Sequence, residues 1–130
     1  MKTKILMLAI SLIAAISQTS AQETKTEWKE SKIFHGLMSA SFHPAEEGNY
    51  APLREKADSL FIVAKLWQAS AMPADYKPTE TKAALSKLVI QCSALKKAVD
   101  TKASGEMLMK KITEAHDTFH TIVGECRKTE

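Results

Sequence analysis

Glycine and proline are scarce, four of each in 130 residues, and their placement is informative. They gather at His43-Pro44 through Pro52, at Met72-Pro73 through Pro78 and at Thr101 through Gly105, leaving four stretches of helical length. Strand-like alternation with β-branched residues is missing at any useful length, which excludes a sheet-based fold. Internal repeats and low-complexity tracts are missing too. Catalytic signatures are equally absent. There is no HExxH, no nucleophilic serine elbow, no phosphate-cradling glycine loop and no CxxCH haem attachment. The paired Glu-x-x-His pattern of a di-metal carboxylate oxidase is not there either. The chain reads as a non-enzyme.

The apolar run Ile5 to Ile16 spans twelve residues, short of the about 20 that a membrane-crossing helix needs. Lys2 and Lys4 precede it and Thr19-Ser20-Ala21 follows, the three-part pattern of a cleavable signal peptide. Residues 1–21 are therefore read as a leader removed on export, with cleavage after Ala21 and no cysteine following to take a lipid. The expected product, residues 22–130, is a periplasmic or secreted protein without stable membrane insertion. Its length suits one domain with a modest core. Losing Lys2 and Lys4 leaves 16 basic against 15 acidic side chains, a net charge of +1. That balance, with no basic stripe, argues against a nucleic-acid partner.

Only two cysteines occur, Cys92 and Cys126. An oxidising compartment would favour their pairing. In an antiparallel hairpin turning near Ala103, however, Cys126 lies on the order of 18 Å along the axis from the level of Cys92. A disulfide needs Cα atoms within about 7 Å, so both are expected to stay free.

The four stretches carry helical periodicity. The first is expected from Thr24, which makes a capping box with Glu27, to Phe42 or His43, because the residue before Pro44 is pushed out of the helical region. Its stripe is Trp28, Ser31, His35, Met38 and Phe42. The second opens at Pro52 and carries Leu53, Ala57, Leu60, Ala64, Trp67 and Ala71. The third, N-capped by Thr79, carries Leu85, Leu88, Cys92, Leu95 and Val99. The fourth runs from after Ser104 to about Arg127 with Met109, Ile112, His116, Phe119, Val123 and Cys126. Four amphipathic helices with short connections predict an all-α, antiparallel up-down-up-down four-helix bundle.

All four histidines, His35, His43, His116 and His120, fall in the first and last helices, which are neighbours in such a bundle. His116 and His120 are spaced i, i+4, so one helix face offers two imidazoles. His35, Ser39 and His43 form a second such row. A register that sets Trp28 level with Cys126 puts His35 beside Phe119 and His120, and Met38 beside His116. Imidazole nitrogens suit zinc, copper, nickel and iron, and Asp117 or Glu114 could orient the rings. Glu46 and Glu47 lie at the His43 end, and the expected metal ligands are His35, His116 and His120, with His43 or Glu47 completing the set. Each residue also has a plain structural reading. Helical histidines are commonly partly exposed polar groups, His43 could close a helix end, Glu46 and Glu47 could be solvated acids, and Cys92 and Met38 could be core.

An exported four-helix chain of this length, with Met38 in the first helix and Phe119-His120 near the end of the last, resembles the periplasmic b-type, cytochrome b562-like, haem bundles. The resemblance implies non-covalent haem b between Met38 and His120 or His116, and electron transfer. His35, His43 and His116 have no part in that pattern. The exported metal-sensing and metal-resistance bundles, which collect His, Met and Glu from paired helices, look similar in ligand chemistry. The expected function is binding of a transition-metal ion (zinc, copper or nickel) for sequestration, sensing or transfer. The alternatives are a haem carrier and a cofactor-free bundle that docks a second copy of itself or an exported partner.

Overall fold

The computed structural model describes residues 26–129. The signal-peptide reading of residues 1–21 and the Thr24 cap lie outside them. Four helices follow one another, α1 Lys29–Glu46, α2 Ala51–Ala69, α3 Pro78–Asp100 and α4 Gly105–His120, and α4 continues into a π-helical turn, Thr121–Glu125. Each helix packs on the next and α1 meets α4, closing an all-helical bundle whose thinnest seam is α1–α4. Among the described residues there is no strand, only an isolated bridge between Tyr76 and Arg127. No helix there is long and apolar enough to cross a membrane.

The core follows the expected stripes on α2 and α3. Leu53, Ala57, Leu60, Ala64 and Trp67 are buried on α2, as are Leu85, Leu88, Cys92 and Leu95 on α3. Ala71 lies past the end of α2 and is exposed, and Ala98 rather than Val99 ends the buried row on α3. Both cysteines are free and buried. Burial pushes the Cys92 thiol up to about 12, which keeps it protonated.

On α1 the expected Trp28, Ser31, Met38 and Phe42 are buried and Phe34 replaces His35, whereas on α4 three of the expected positions are each shifted by one residue. α1 buries Ser31, Phe34, Met38, Ser41, Phe42 and Ala45, and α4 buries Leu108, Ile112, Ala115, Thr118 and Phe119, with Ile122 and Cys126 beyond. Two heptad stripes share Ile112, Phe119 and Cys126. Leu108, Ala115 and Ile122 take the inner one because burying them releases more apolar surface than burying Met109, His116 and Val123, and because a buried imidazole would need partners for both nitrogens. Phe34 displaces His35 from the seam of α1 for the same reason.

The helix ends differ from expectation in instructive ways. α1 runs through Pro44 to Glu46 instead of stopping at Phe42 or His43. The amide of Asn49 donates to the Pro44 carbonyl (2.9 Å) and that of Gly48 to Ala45 (3.0 Å), with Gly48 at φ 83°. This is a Schellman closure, in which the last turn containing Pro44 supplies acceptors and Gly48 supplies the left-handed residue. Ala45 is buried, so packing also holds that turn in place. α3 ends the same way, with Ala103 donating to Ala98 (2.9 Å) and Lys102 to Val99 (3.1 Å), but here a lysine takes the left-handed position at φ 56°. The α3 N-cap is Lys77 rather than Thr79, because Pro78 occupies the first helical position. Ser104 caps α4, accepting from the Met107 amide at 3.2 Å. A Cβ on Gly105 would strike the Tyr50 ring, which lets the α1–α2 loop press against the start of α4.

Beyond the π-helical turn the chain is tied to the α2–α3 loop. The Lys77 amide donates to the Cys126 carbonyl (2.7 Å), the Lys128 amide to Asp75 (2.8 Å), and Arg127 pairs with Asp75 at 3.1 Å while lying over the Tyr76 ring.

Candidate metal site

Phe34 and Ala115 take the core positions expected for His35 and His116, leaving those two histidines at the edge of the packed seam. His116 lies beside the core with its side chain 24% exposed, and His120, one turn further along the same face, is exposed. Their Nε2 atoms are 3.2 Å apart and the rings meet edge to face at 4.5 Å. The Phe42 ring of α1 backs His116 in a parallel stack, centroids 4.0 Å apart and planes within 6°. Burial holds the His116 ring below the usual histidine pKa, and the neighbouring His120 and His43 charges act in the same direction, against Asp117 and Glu46. The His116 imidazole is therefore neutral at neutral pH, the form that can donate a lone pair to a metal.

His43 stands on the last turns of α1, 66% exposed, and its Nδ1 lies 3.0 Å from Glu46 Oε2. The extension of α1 through Pro44 makes this pair possible, since it puts Glu46 at i+3 on the same helix face. Glu47, the C-cap residue, is exposed. The carboxylate beside His43 is thus Glu46, a choice hidden from a sequence reading that ends the helix at His43. His35 is exposed and stacks flat on Phe119, centroids 5.3 Å apart and planes within 1°. The expected level of His35 with Phe119 holds, whereas His116 faces Phe42, one turn from its expected neighbour Met38. The structure pairs His116 with His120 and His43 with Glu46, and the Phe42 ring lies beside both His43 and His116; His35 is placed on Phe119 instead. Among the described residues, no three His, Cys, Asp or Glu side chains are close enough as they stand to hold an ion. The arrangement is two donor pairs on facing helices.

Met38 is fully buried, while His120 is on the surface. The interior beside them is filled by Phe34, Trp67 and Phe119, whose ring centroids lie 5.6 to 6.0 Å apart. Haem ligation by Met38 and His120 requires those rings to leave. A hollow of about 390 Å³ is lined by Trp28, Gln68, Ser70, Met72, Lys82, Leu85 and Ser86, with no histidine in its wall. No family model, no curated protein and no solved structure matches the chain.

Proposed function

We propose that this chain is an exported four-helix bundle that binds a transition-metal ion (zinc, copper or nickel) through histidines of its first and last helices, holding or handing on metal without catalysing a reaction. One observation carries the reading: the 3.2 Å between His116 Nε2 and His120 Nε2. Two nitrogens bound to one ion at about 2.0–2.1 Å, with angles between tetrahedral and square, stand about 2.9–3.4 Å apart. The contact is a hydrogen bond between the two imidazoles; an ion taking both nitrogens would displace the shared proton, which neutral imidazole can carry on Nδ1 instead, and would need a nitrogen spacing close to the one present. The Phe42 stack fixes the His116 ring, so little side-chain freedom remains to be lost on binding. Imidazole donors with open positions facing solvent suit an exchangeable ion, in keeping with capture and transfer.

The test is equilibrium dialysis of the mature protein against zinc, copper and nickel salts, followed by elemental analysis, for the native chain and a His116→Ala/His120→Ala variant. The native chain should retain one ion per molecule and the double variant none. Equal metal content in the two would overturn the assignment. Both side chains lie off the core, so the variant should keep its helical circular dichroism.

A further inference from the structure

The hollow between the end of α2 and the start of α3 has a volume of about 390 Å³, within the about 300–1,000 Å³ of small-molecule sites. Its back wall is a fixed indole. Trp28 Nε1 donates to Ser70 Oγ at 2.8 Å, and that hydroxyl, on the residue that ends α2, donates in turn to the Trp67 carbonyl at 2.7 Å. The same indole meets Trp67 and Tyr76 edge to face, with centroids 5.6 and 4.9 Å apart. Trp28 and Leu85 are buried and Met72 is half-buried. A ligand entering here meets an apolar surface already in place, with little of the ordering cost that loose side chains impose.

The rim is polar and carries a single charge. Gln68 Nε2 donates to Ser86 Oγ at 3.0 Å, joining α2 to α3 across the groove. Lys82 lies one turn before Ser86 on the same face of α3. It is exposed, and among the described residues no acidic side chain pairs with it. The wall itself contains no Asp or Glu. An ammonium without an anion of its own, set at the edge of an apolar floor, complements a ligand that is negative at one end and apolar along the rest.

We infer that this hollow binds a small amphipathic acid, one carboxylate on an apolar chain or ring, with the carboxylate on Lys82 and the body against Trp28, Leu85 and Met72. Gln68 and Ser86 supply further hydrogen bonds at the mouth when their mutual bond opens. With no histidine in the wall, the site is independent of the metal reading, and neither stands or falls with the other.

Sodium octanoate, titrated calorimetrically into the native chain, tests the assignment. Octylammonium chloride presents the same body with the opposite charge, and sodium acetate the same charge without the body. The native chain should bind one octanoate saturably, with a change in tryptophan emission because Trp28 forms the wall, and should bind the other two at least about tenfold more weakly. Lys82→Gln should weaken octanoate binding by about fivefold or more. Lys87→Gln, at an exposed position outside the wall, should bind as the native chain does. Ser86→Phe sets a ring in the mouth from an exposed position and should abolish octanoate binding while the helical circular dichroism is kept. Absence of saturable octanoate binding, equal affinity for octylammonium, or native affinity in Lys82→Gln or Ser86→Phe would overturn the inference.

Discussion

Burial and the charge of His120 hold the His116 ring below the ordinary histidine pKa of 6.5, and from that shift two pH dependences follow with a definite sign. Protons compete with metal for imidazole, so affinity at the proposed pair should fall as the pH drops through the depressed pKa of His116. Folding stability in metal-free buffer should move the same way. A histidine whose folded pKa is depressed contributes stability that is present above its unfolded value and lost as the pH falls through the folded one. Chemical denaturation between pH 8 and 5 should show that loss for the native chain and a smaller one for His116→Ala; an unchanged profile in the variant would contradict the account. Cysteine chemistry plays no part in this range, because burial keeps the Cys92 thiol protonated far above neutrality. The identity of the four histidines and their division between two helices were legible in the sequence. Their burial was not, because a one-residue ambiguity is resolved only by whether Phe34 or His35, and Ala115 or His116, takes the core position.

At the scale of elements, the ends of the helices place the site as much as their faces do. The rule that a residue before proline leaves the helical region pointed to an end at Phe42 or His43, yet the Schellman closure at Gly48 and the burial of Ala45 carry α1 three or more residues further. That extra turn puts Glu46 beside His43. Proline is a local signal, whereas the closure draws on Pro44, Ala45, Gly48 and Asn49 together, so sequence rules applied residue by residue miss it. The corresponding end of α3 uses Lys102 where a glycine would fit without strain. Left-handed backbone costs a non-glycine residue roughly 1–2 kcal/mol, partly offset by glycine's greater freedom in the unfolded chain. Lys102→Gly should therefore stabilise the protein by up to about 1 kcal/mol, a rise of about 4–8 °C in melting temperature for a domain of this size. A lower melting temperature would mean that the lysine side chain does more at that corner than its exposure suggests.

For the whole molecule, four amphipathic stripes separated by breaks at Gly and Pro sufficed to expect an all-helical bundle, and on α2 and α3 the buried residues follow the heptad spacing. Leu53, Leu60 and Trp67 on one helix and Leu85, Leu88 and Leu95 on the other are buried as the periodicity expects, while Ile62, Leu66 and Ile90 on the same two helices stay exposed. The α1–α4 seam is different. It is the thinnest contact in the ring, it carries all four histidines, and its apolar positions alternate with polar ones that compete for burial. Metal bound at the proposed His116–His120 pair would add to the stability of the folded bundle by linkage. At free zinc 100 times the dissociation constant, linkage alone supplies about 2.7 kcal/mol. X-ray absorption at the metal edge of the zinc-loaded mature protein tests this most directly. The account predicts only nitrogen and oxygen donors at about 2.0–2.2 Å with the outer-shell scattering of imidazole rings; a sulfur shell at about 2.3 Å, or no imidazole signature, would contradict it.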